Sequence, residues 1–296
     1  MIEIPESLTI ARQARLRLSG LTIEEVIPPT SPHKFTWYNG DPADYHQLLE
    51  GRKILSASGF GAFVELEMEN GAHLLVSDGV NMRHYAQGEE LPVKHQLAIT
   101  LNDGSSLIFT VAMYGGIYAH SGSFDNPYYV GARAKLQPLD EAFGRDYFLS
   151  LARELKRDMS VKAFLATEQR IPGLGNGVLQ DILFNAGVSP KRKMSSVDGK
   201  DMENLLEAMK STLGAMLENG GRDTEKDLFG NKGRYRTLMS KNTYKNPCPV
   251  CGGAILKEAY LGGTIYYCPA CQCAAAHIHK QENVKFNQTI ELFVSN

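Results

Sequence analysis

Along the first 135 residues, apolar and polar positions alternate in short runs closed by turn dipeptides, a pattern that predicts antiparallel strands. Phe63-Val-Glu-Leu-Glu-Met68 leads into Asn70-Gly71 and then His73-Leu-Leu-Val76, and Leu97-Ala-Ile-Thr-Leu101 leads into Asp103-Gly104 and then Leu107-Ile-Phe-Thr-Val111. Asn-Gly and Asp-Gly supply the positive φ values of tight hairpins. Several hairpins in one stretch predict a sandwich or barrel. Ahead of them, Glu6-Ser-Leu-Thr-Ile-Ala-Arg12 opens a helix, with Ser7 the expected N-cap and Ile10 and Ala14 at helical spacing.

The period then changes. From Asp140 to Gly221 strand signals give way to three helical patterns: Tyr147, Leu149, Leu151 and Leu155; Leu179 to Phe184; and a stripe of Leu205, Leu206, Met209, Leu213 and Leu217. The last ends at Gly220-Gly221, a helix stop. Gly221 to Pro247 has no period and reads as a basic loop. Beyond it, Ile255-Leu256 and Thr264-Ile-Tyr-Tyr267 read as two strands, and Thr289-Ile-Glu-Leu-Phe-Val294 as a further candidate strand in the tail. The expected organisation is an α+β chain: a β-sandwich domain with flanking helices (1–135), a helical domain (136–221), a basic loop (222–246), a cysteine-rich β-hairpin (247–275) and a tail (276–296).

Composition narrows the class. Apolar content of 43% and charged content of 22% are those of a globular chain. No apolar run approaches the roughly 20 residues of a membrane span, and Met1 to Ser7 lacks the features of a signal peptide. A cytosolic protein is therefore expected. The net charge of −2 argues against a uniformly basic nucleic-acid binder and leaves local basic surfaces open. All five cysteines fall between Cys248 and Cys273, which in a reducing compartment points to a metal.

Cys248-Pro-Val-Cys251 and Cys268-Pro-Ala-Cys271 are two CxxC pairs flanking the strand signals. Folded as a hairpin they bring four thiolates into a tetrahedron suited to Zn²⁺. Four protein ligands leave no open position for water, so this zinc is structural. Cys273, His277 and His279 are bystanders to a site already closed. Ile171-Pro-Gly-Leu-Gly-Asn176 is a Gly-rich turn running into a helix N-terminus. It offers N–H groups, a helix dipole and the Asn176 amide to an anion, with Lys162, Arg170 and Lys191-Arg-Lys193 nearby. A nucleic-acid phosphate is the natural guest, although Gly-x-Gly turns are common and the turn taken alone reads first as a purely structural helix–turn–helix. A nucleotide cofactor is not expected, because no βαβ strand precedes the turn.

With these motifs together, the chain resembles the formamidopyrimidine-DNA glycosylase and endonuclease VIII family over nearly its whole length. Met1-Ile-Glu-Ile-Pro-Glu6 looks like the family's opening Met-Pro-Glu-Leu-Pro-Glu. Leu136-Gln-Pro-Leu-Asp140 resembles its linker, Ser160 to Pro190 its helix–two-turn–helix, and the cysteine hairpin its zinc finger. The resemblance implies double-stranded, damaged DNA held in a cleft between the β-sandwich and the helical domain, with the damaged nucleotide turned out of the stack. It implies that Asn176 and the backbone around Gly175 grip a phosphate, that Lys162 contacts the DNA backbone and that Tyr114 wedges into the stack.

The catalytic positions depart from the family pattern. Its nucleophile is the amine of an N-terminal proline, and here that position is Ile2, with the neighbouring proton-handling glutamate kept as Glu3. Methionine is trimmed only before small residues, so Met1 is expected to stay, which moves the free amine by about 3.5 Å. Three family cations fall at Ala62, at Gly263 and at Ala112-Met113, each loss weakening the hold on phosphate. Two classes stay open: a divergent damaged-base glycosylase of base-excision repair, a hydrolase with or without lyase activity, and a module that binds lesions without cutting.

Overall fold

The first helix begins earlier than its sequence signal indicates. In this computed structural model, described over residues 1–272, α1 (Ile4–Leu18) takes Glu3 as its N-cap residue and carries Pro5 in its first turn. A proline there gives up an N–H that has no helical partner anyway. The Glu6 carboxylate accepts the Glu3 backbone N–H at 3.2 Å. Ser7, the expected cap, lies inside the helix and donates to the Ile4 and Gly61 carbonyls at 3.0 and 2.9 Å. The tail from 273 onward, with Cys273, His277, His279 and the candidate strand at 289–294, lies outside the described residues.

The chain continues through β1 (Ile23–Ile27), β2 (Thr36–Trp37), α2 (Tyr45–Leu49), β3 (Ile54–Phe60), β4 (Phe63–Met68), β5 (Ala72–Ser77), β6 (Val80–Tyr85), β7 (Leu97–Leu101), β8 (Ser106–Val111) and β9 (Gly115–Ser121). A four-stranded sheet of order β1-β7-β8-β6 faces a five-stranded sheet of order β2-β9-β5-β4-β3. Both hairpins anticipated from turn dipeptides form, with positive φ at Asn70, Gly71 and Gly104. All pairings are antiparallel except the edge pair, where Thr36 and Trp37 run parallel to Gly115 and Gly116. Alternation sends Val64, Leu66, Leu74, Val76, Ile117 and Ala119 into a shared core with Ile10, Ala14 and Leu18 of α1. The helix can lie close on β3 because Gly59 carries no side chain: a Cβ there would stand 2.4 Å from the Ser7 carbonyl oxygen.

After α3 (Pro127–Ala134) come α4 (Arg145–Arg153), α5 (Val161–Ala166), α6 (Asn176–Asn185) and α7 (Gly199–Glu218). Leu155 falls beyond α4, while the other periodic residues lie in α4, α6 and α7. They bury a second core that includes Phe148, Phe164, Leu179, Leu183, Leu205 and Leu213, together with Ile4 from α1. The first helix thus belongs to both cores. The linker residue Gln137 strengthens the junction by accepting the Gly61 N–H at 2.8 Å. A third, small cluster of Phe184, Met239, Cys248, Ile255 and Cys268 seats the terminal hairpin, β10 (Leu256–Tyr260) and β11 (Gly263–Tyr267), on α6.

Candidate functional site

The Gly-rich turn before α6 has already found an anion, and it comes from the other end of the chain. The Glu3 carboxylate accepts the N–H groups of Gly177 and Val178 at 2.9 and 2.7 Å, the donors a helix N-terminus leaves unpaired. Arg222 completes the cluster. Its guanidinium donates to Glu6 at 3.0 and 2.7 Å and lies 3.3 Å from Glu3, with all three side chains buried. Burial pushes the Glu3 carboxyl above its ordinary pKa; Arg222 pulls it back, Glu6 pushes it up again and the two N–H groups lower it. Burial pulls the Arg222 guanidinium down, but Glu3 and Glu6 outweigh that and hold it above its ordinary value.

This packing explains the glycines. A Cβ at Gly175 would stand 2.5 Å from a Glu3 carboxylate oxygen, and one at Gly177 would stand 1.7 Å from the Arg222 guanidinium. At Gly173, φ is +76° and a Cβ would meet the Gly61 backbone at 2.2 Å, while its carbonyl accepts the Ile4 N–H at 3.1 Å. The turn is therefore the joint between the two cores. Ile2 lies buried beside it, its backbone N–H donating to the Asp78 carbonyl at 2.6 Å, and the Met1 nitrogen contacts the Glu225 carboxylate. Burial raises the Asp78 carboxyl pKa, against the lowering effect of Ser77 and the terminal amine.

The expected phosphate-gripping residues are distributed differently from one another. Asn176, half-buried, spends one amide N–H on the Thr264 carbonyl of β11 at 2.7 Å. Facing it is Gly263, where a Cβ would lie 3.3 Å from the amide nitrogen. Lys162 is buried, and its ammonium donates to the Tyr260 carbonyl at 2.6 Å, so it staples the hairpin to α5. Burial lowers its pKa. Arg192 is likewise buried, on Asp201 and the Ser196 carbonyl, and Lys191 pairs with Glu258. In the basic loop Arg222 is internal, whereas Lys226, Lys232, Arg234, Arg236, Lys241 and Lys245 are exposed. Asp181 of α6 anchors that loop by accepting the Leu238 and Met239 N–H groups at 2.9 and 2.8 Å. Ala112, Met113 and Tyr114 are exposed in the turn between β8 and β9.

Cys248, Cys251, Cys268 and Cys271 converge, with sulfur–sulfur separations of 3.7 Å (Cys248–Cys271) and 3.5 Å (Cys251–Cys268). Four thiolates about 2.3 Å from a central ion define a tetrahedron with edges of about 3.8 Å. The donor set therefore fits a structural metal.

Two groups escaped sequence reasoning. The Arg222–Glu3–Glu6 cluster joins residues more than 200 apart, and no local pattern marks it. Glu65, His73 and His120 gather on the outer face of the five-stranded sheet. There Arg133 stands on Glu65 and Tyr129 donates to it at 3.0 Å, so the carboxylate already has a cation.

A two-lobed α+β protein, with a β-sandwich, a helix–two-turn–helix lobe and a metal-type hairpin joined through its first residues, is the class these features define. A sequence profile for the formamidopyrimidine-DNA glycosylase helix–two-turn–helix domain matches residues 135–227. Formamidopyrimidine-DNA glycosylases of Pelotomaculum thermopropionicum and Thermus thermophilus are 28% and 27% identical to the chain. Both alignments span 92% of it and 99% and 98% of the relatives. The crystal structure of the MutM (Fpg) protein from Thermus thermophilus superposes with a TM-score of 0.77 at 25% identity, over 93% of this chain and all of that one. Lactococcus lactis Fpg in complex with DNA containing N7-benzyl-Fapy-dG has the same fold, with a TM-score of 0.79 at 22% identity, over 92% of this chain and 99% of that one. In its helix–two-turn–helix domain, in sequence over most of its length and in fold, the chain is similar to formamidopyrimidine-DNA glycosylases.

Proposed function

We propose that this chain is a base-excision-repair DNA glycosylase that turns a damaged nucleotide out of duplex DNA and breaks its bond to the sugar. The carrying observation is the Glu3 carboxylate at the joint of the two lobes, buried, beside Ile2 and on the N-terminus of α6. A carboxyl whose pKa burial has raised above its ordinary value is a stronger proton acceptor than a free one. The lobes 1–135 and 136–221 flank the DNA, and a zinc ion on the four cysteines keeps the hairpin folded. The second amide hydrogen of Asn176 and the backbone at Gly175 serve one phosphate. Lys162 acts through the hairpin it holds, and Tyr114 enters the base stack.

The nucleophile follows from Ile2. Its nitrogen is an amide with no available lone pair, and its hydrogen is spent on Asp78. Attack at C1′ by that nitrogen, with Schiff-base formation, would require a free amine. Water is the attacking group this arrangement favours: its oxygen bonds to C1′, the base leaves with the electrons of the broken C1′–N bond, and the proton passes to Glu3. The same amide favours a second reading, lesion binding without base release, as does the absence of side-chain cations at Ala62, Ala112-Met113 and Gly263.

The test pairs base-release assays on duplexes carrying oxidised purines, oxidised pyrimidines or an abasic site with borohydride trapping and intact mass. Base release that Glu3→Gln abolishes, with no trapped adduct, is the expected result. A trapped, Glu3-dependent adduct together with loss of Met1 would replace water by the Ile2 amine. Tight lesion binding with no release from any duplex would establish the second reading.

A further inference from the structure

We infer that Trp37, with Phe35 and Tyr114, forms an aromatic platform that stacks nucleobases of the DNA beside the extruded nucleotide. The inference rests on the DNA reading above and adds a binding surface to it. Its first support is a contrast between backbone and side chains. β2 is pinned to β9 through the pairs Thr36–Gly115 and Trp37–Gly116, and the Gly115 N–H donates to the Phe35 carbonyl at 3.0 Å. On the other side the Tyr114 carbonyl accepts the Gly79 N–H at 2.9 Å, and a Cβ on Gly79 would come within 2.4 Å of that oxygen. The backbone is held on both flanks, yet Phe35, Trp37 and Tyr114 are 49%, 48% and 37% exposed. Three large rings on a fixed frame, unused by either core, mark a binding surface more often than chance.

Position and charge select the occupant. Trp37 and Tyr114 lie 6.1 Å apart at 59°, leaving ring faces open. The Tyr114 hydroxyl reaches the Met1 sulfur at 3.8 Å, so the platform abuts the first residues of the chain, where the damaged nucleotide is proposed to sit. Burial raises the Tyr114 pKa and the carboxylates of Asp78 and Glu3 add to it, which sets the phenol at the same mouth. Lys34 brings an ammonium to 5.4 Å from the Phe35 ring. Ring faces for bases beside a cation for the phosphate are how single-stranded or unstacked nucleic acid is held, and every base offers a π-face. A protein partner would need a larger apolar area than these rings provide.

Trp37 is the chain's one tryptophan, so fluorescence excited at the red edge, where the thirteen tyrosines do not absorb, reports on this position alone. The full-length protein is titrated with a duplex containing a central tetrahydrofuran abasic analogue, and binding is followed separately by anisotropy of a labelled copy. The expected result is quenching of Trp37 and loss of its acrylamide accessibility at the concentrations where anisotropy rises. Trp37→Ala weakens binding by roughly tenfold or more, and Trp37→Phe by about threefold or less. Both variants keep the wild-type melting profile, because the side chain is half in solvent. Unchanged fluorescence on a duplex that anisotropy shows to be bound, or Trp37→Ala binding as tightly as wild type, would overturn the platform alone. No anisotropy change with any duplex would overturn the platform and the DNA reading together.

Discussion

Arg222→Met tests the joint between the lobes most directly. The guanidinium makes two hydrogen bonds to Glu6 and one close approach to Glu3, in a site where all three residues are at most 4% exposed. Removing one partner of a buried ionic cluster leaves the rest uncompensated and destabilises by about 3–5 kcal/mol. Glu3 would keep its two α6 N–H donors at 2.9 and 2.7 Å, whereas Glu6 would lose both guanidinium bonds and keep only the longer ones from the backbone N–H groups of Glu3 and residue 222, at 3.2 and 3.4 Å. Most of the loss should therefore come from Glu6. A double variant, Glu6→Leu with Arg222→Met, should recover a large part of it. The effect also has a sign in pH. Burial already holds the Glu3 carboxyl above its ordinary pKa in the folded chain, and Arg222 is the main influence lowering it. Without Arg222 the folded-state value rises further, so the folded variant takes up a proton before the unfolded chain does. The Glu3 share of the deficit is full well above that raised value, shrinks as the pH falls through it, and is gone once the pH lies below the wild-type folded value, where both folded forms carry the proton. Urea unfolding by circular dichroism at a series of pH values between neutrality and that limit measures both. A variant within about 1 kcal/mol of wild type at neutral pH, or a deficit that does not shrink on acidification, would refute the ionic account.

Three further outcomes follow from the same geometry. Gly173→Ala combines a φ of +76° with a 2.2 Å approach to the Gly61 backbone, whereas Gly122→Ala has a φ of +74° with nothing nearby. In thermal melts the latter should cost about 1 kcal/mol and the former several times more. Metal analysis should find one zinc per chain. Cys268→Ser, or prolonged chelation, should abolish it and release the hairpin from α6, read as protease sensitivity near Tyr260. Gly263→Arg should place a cation against Asn176; titrations of a labelled duplex at several salt concentrations should show tighter binding and a log–log salt slope steeper by about 0.9.

The hairpins and helices were legible because each is a local object. Asn70-Gly71 and Asp103-Gly104 declare their turns, and the stripe of Leu205, Met209 and Leu213 declares a buried helix face. The four cysteines were legible for the same reason, since a hairpin is all that separates their pairs. Less local features were missed or misplaced. Ser7 has the chemistry of an N-cap, but Pro5 and the Glu6 side chain start the helix four residues earlier, and Ser7 is used instead against Gly61. β2 has two residues and no alternation, so only its partner β9 defines it. Lys162 carries a charge that reads as surface, yet the lysine stem is long enough to be buried while its ammonium finds the Tyr260 carbonyl.

The Gly-rich turn shows why a site can be half legible. From residues alone, Ile171 to Asn176 offers a helix N-terminus to an anion, and that physics holds: a carboxylate sits there with its two oxygens on two N–H groups. The sequence could not say whose anion it was, because Glu3 is 174 positions from Gly177 and a phosphate would satisfy the same donors. Gly175 and Gly177 could be taken as room for a ligand backbone, when the room is filled by Glu3 and Arg222. This changes what the turn does. A helix dipole spent on an internal carboxylate no longer pulls a phosphate into the turn at full strength; it fixes residue 3, and through it residue 2, against the helical lobe. The position of Ile2 is then set by the same contact that joins the lobes, and any change that loosens Glu3 should disturb lobe packing and the proposed site together.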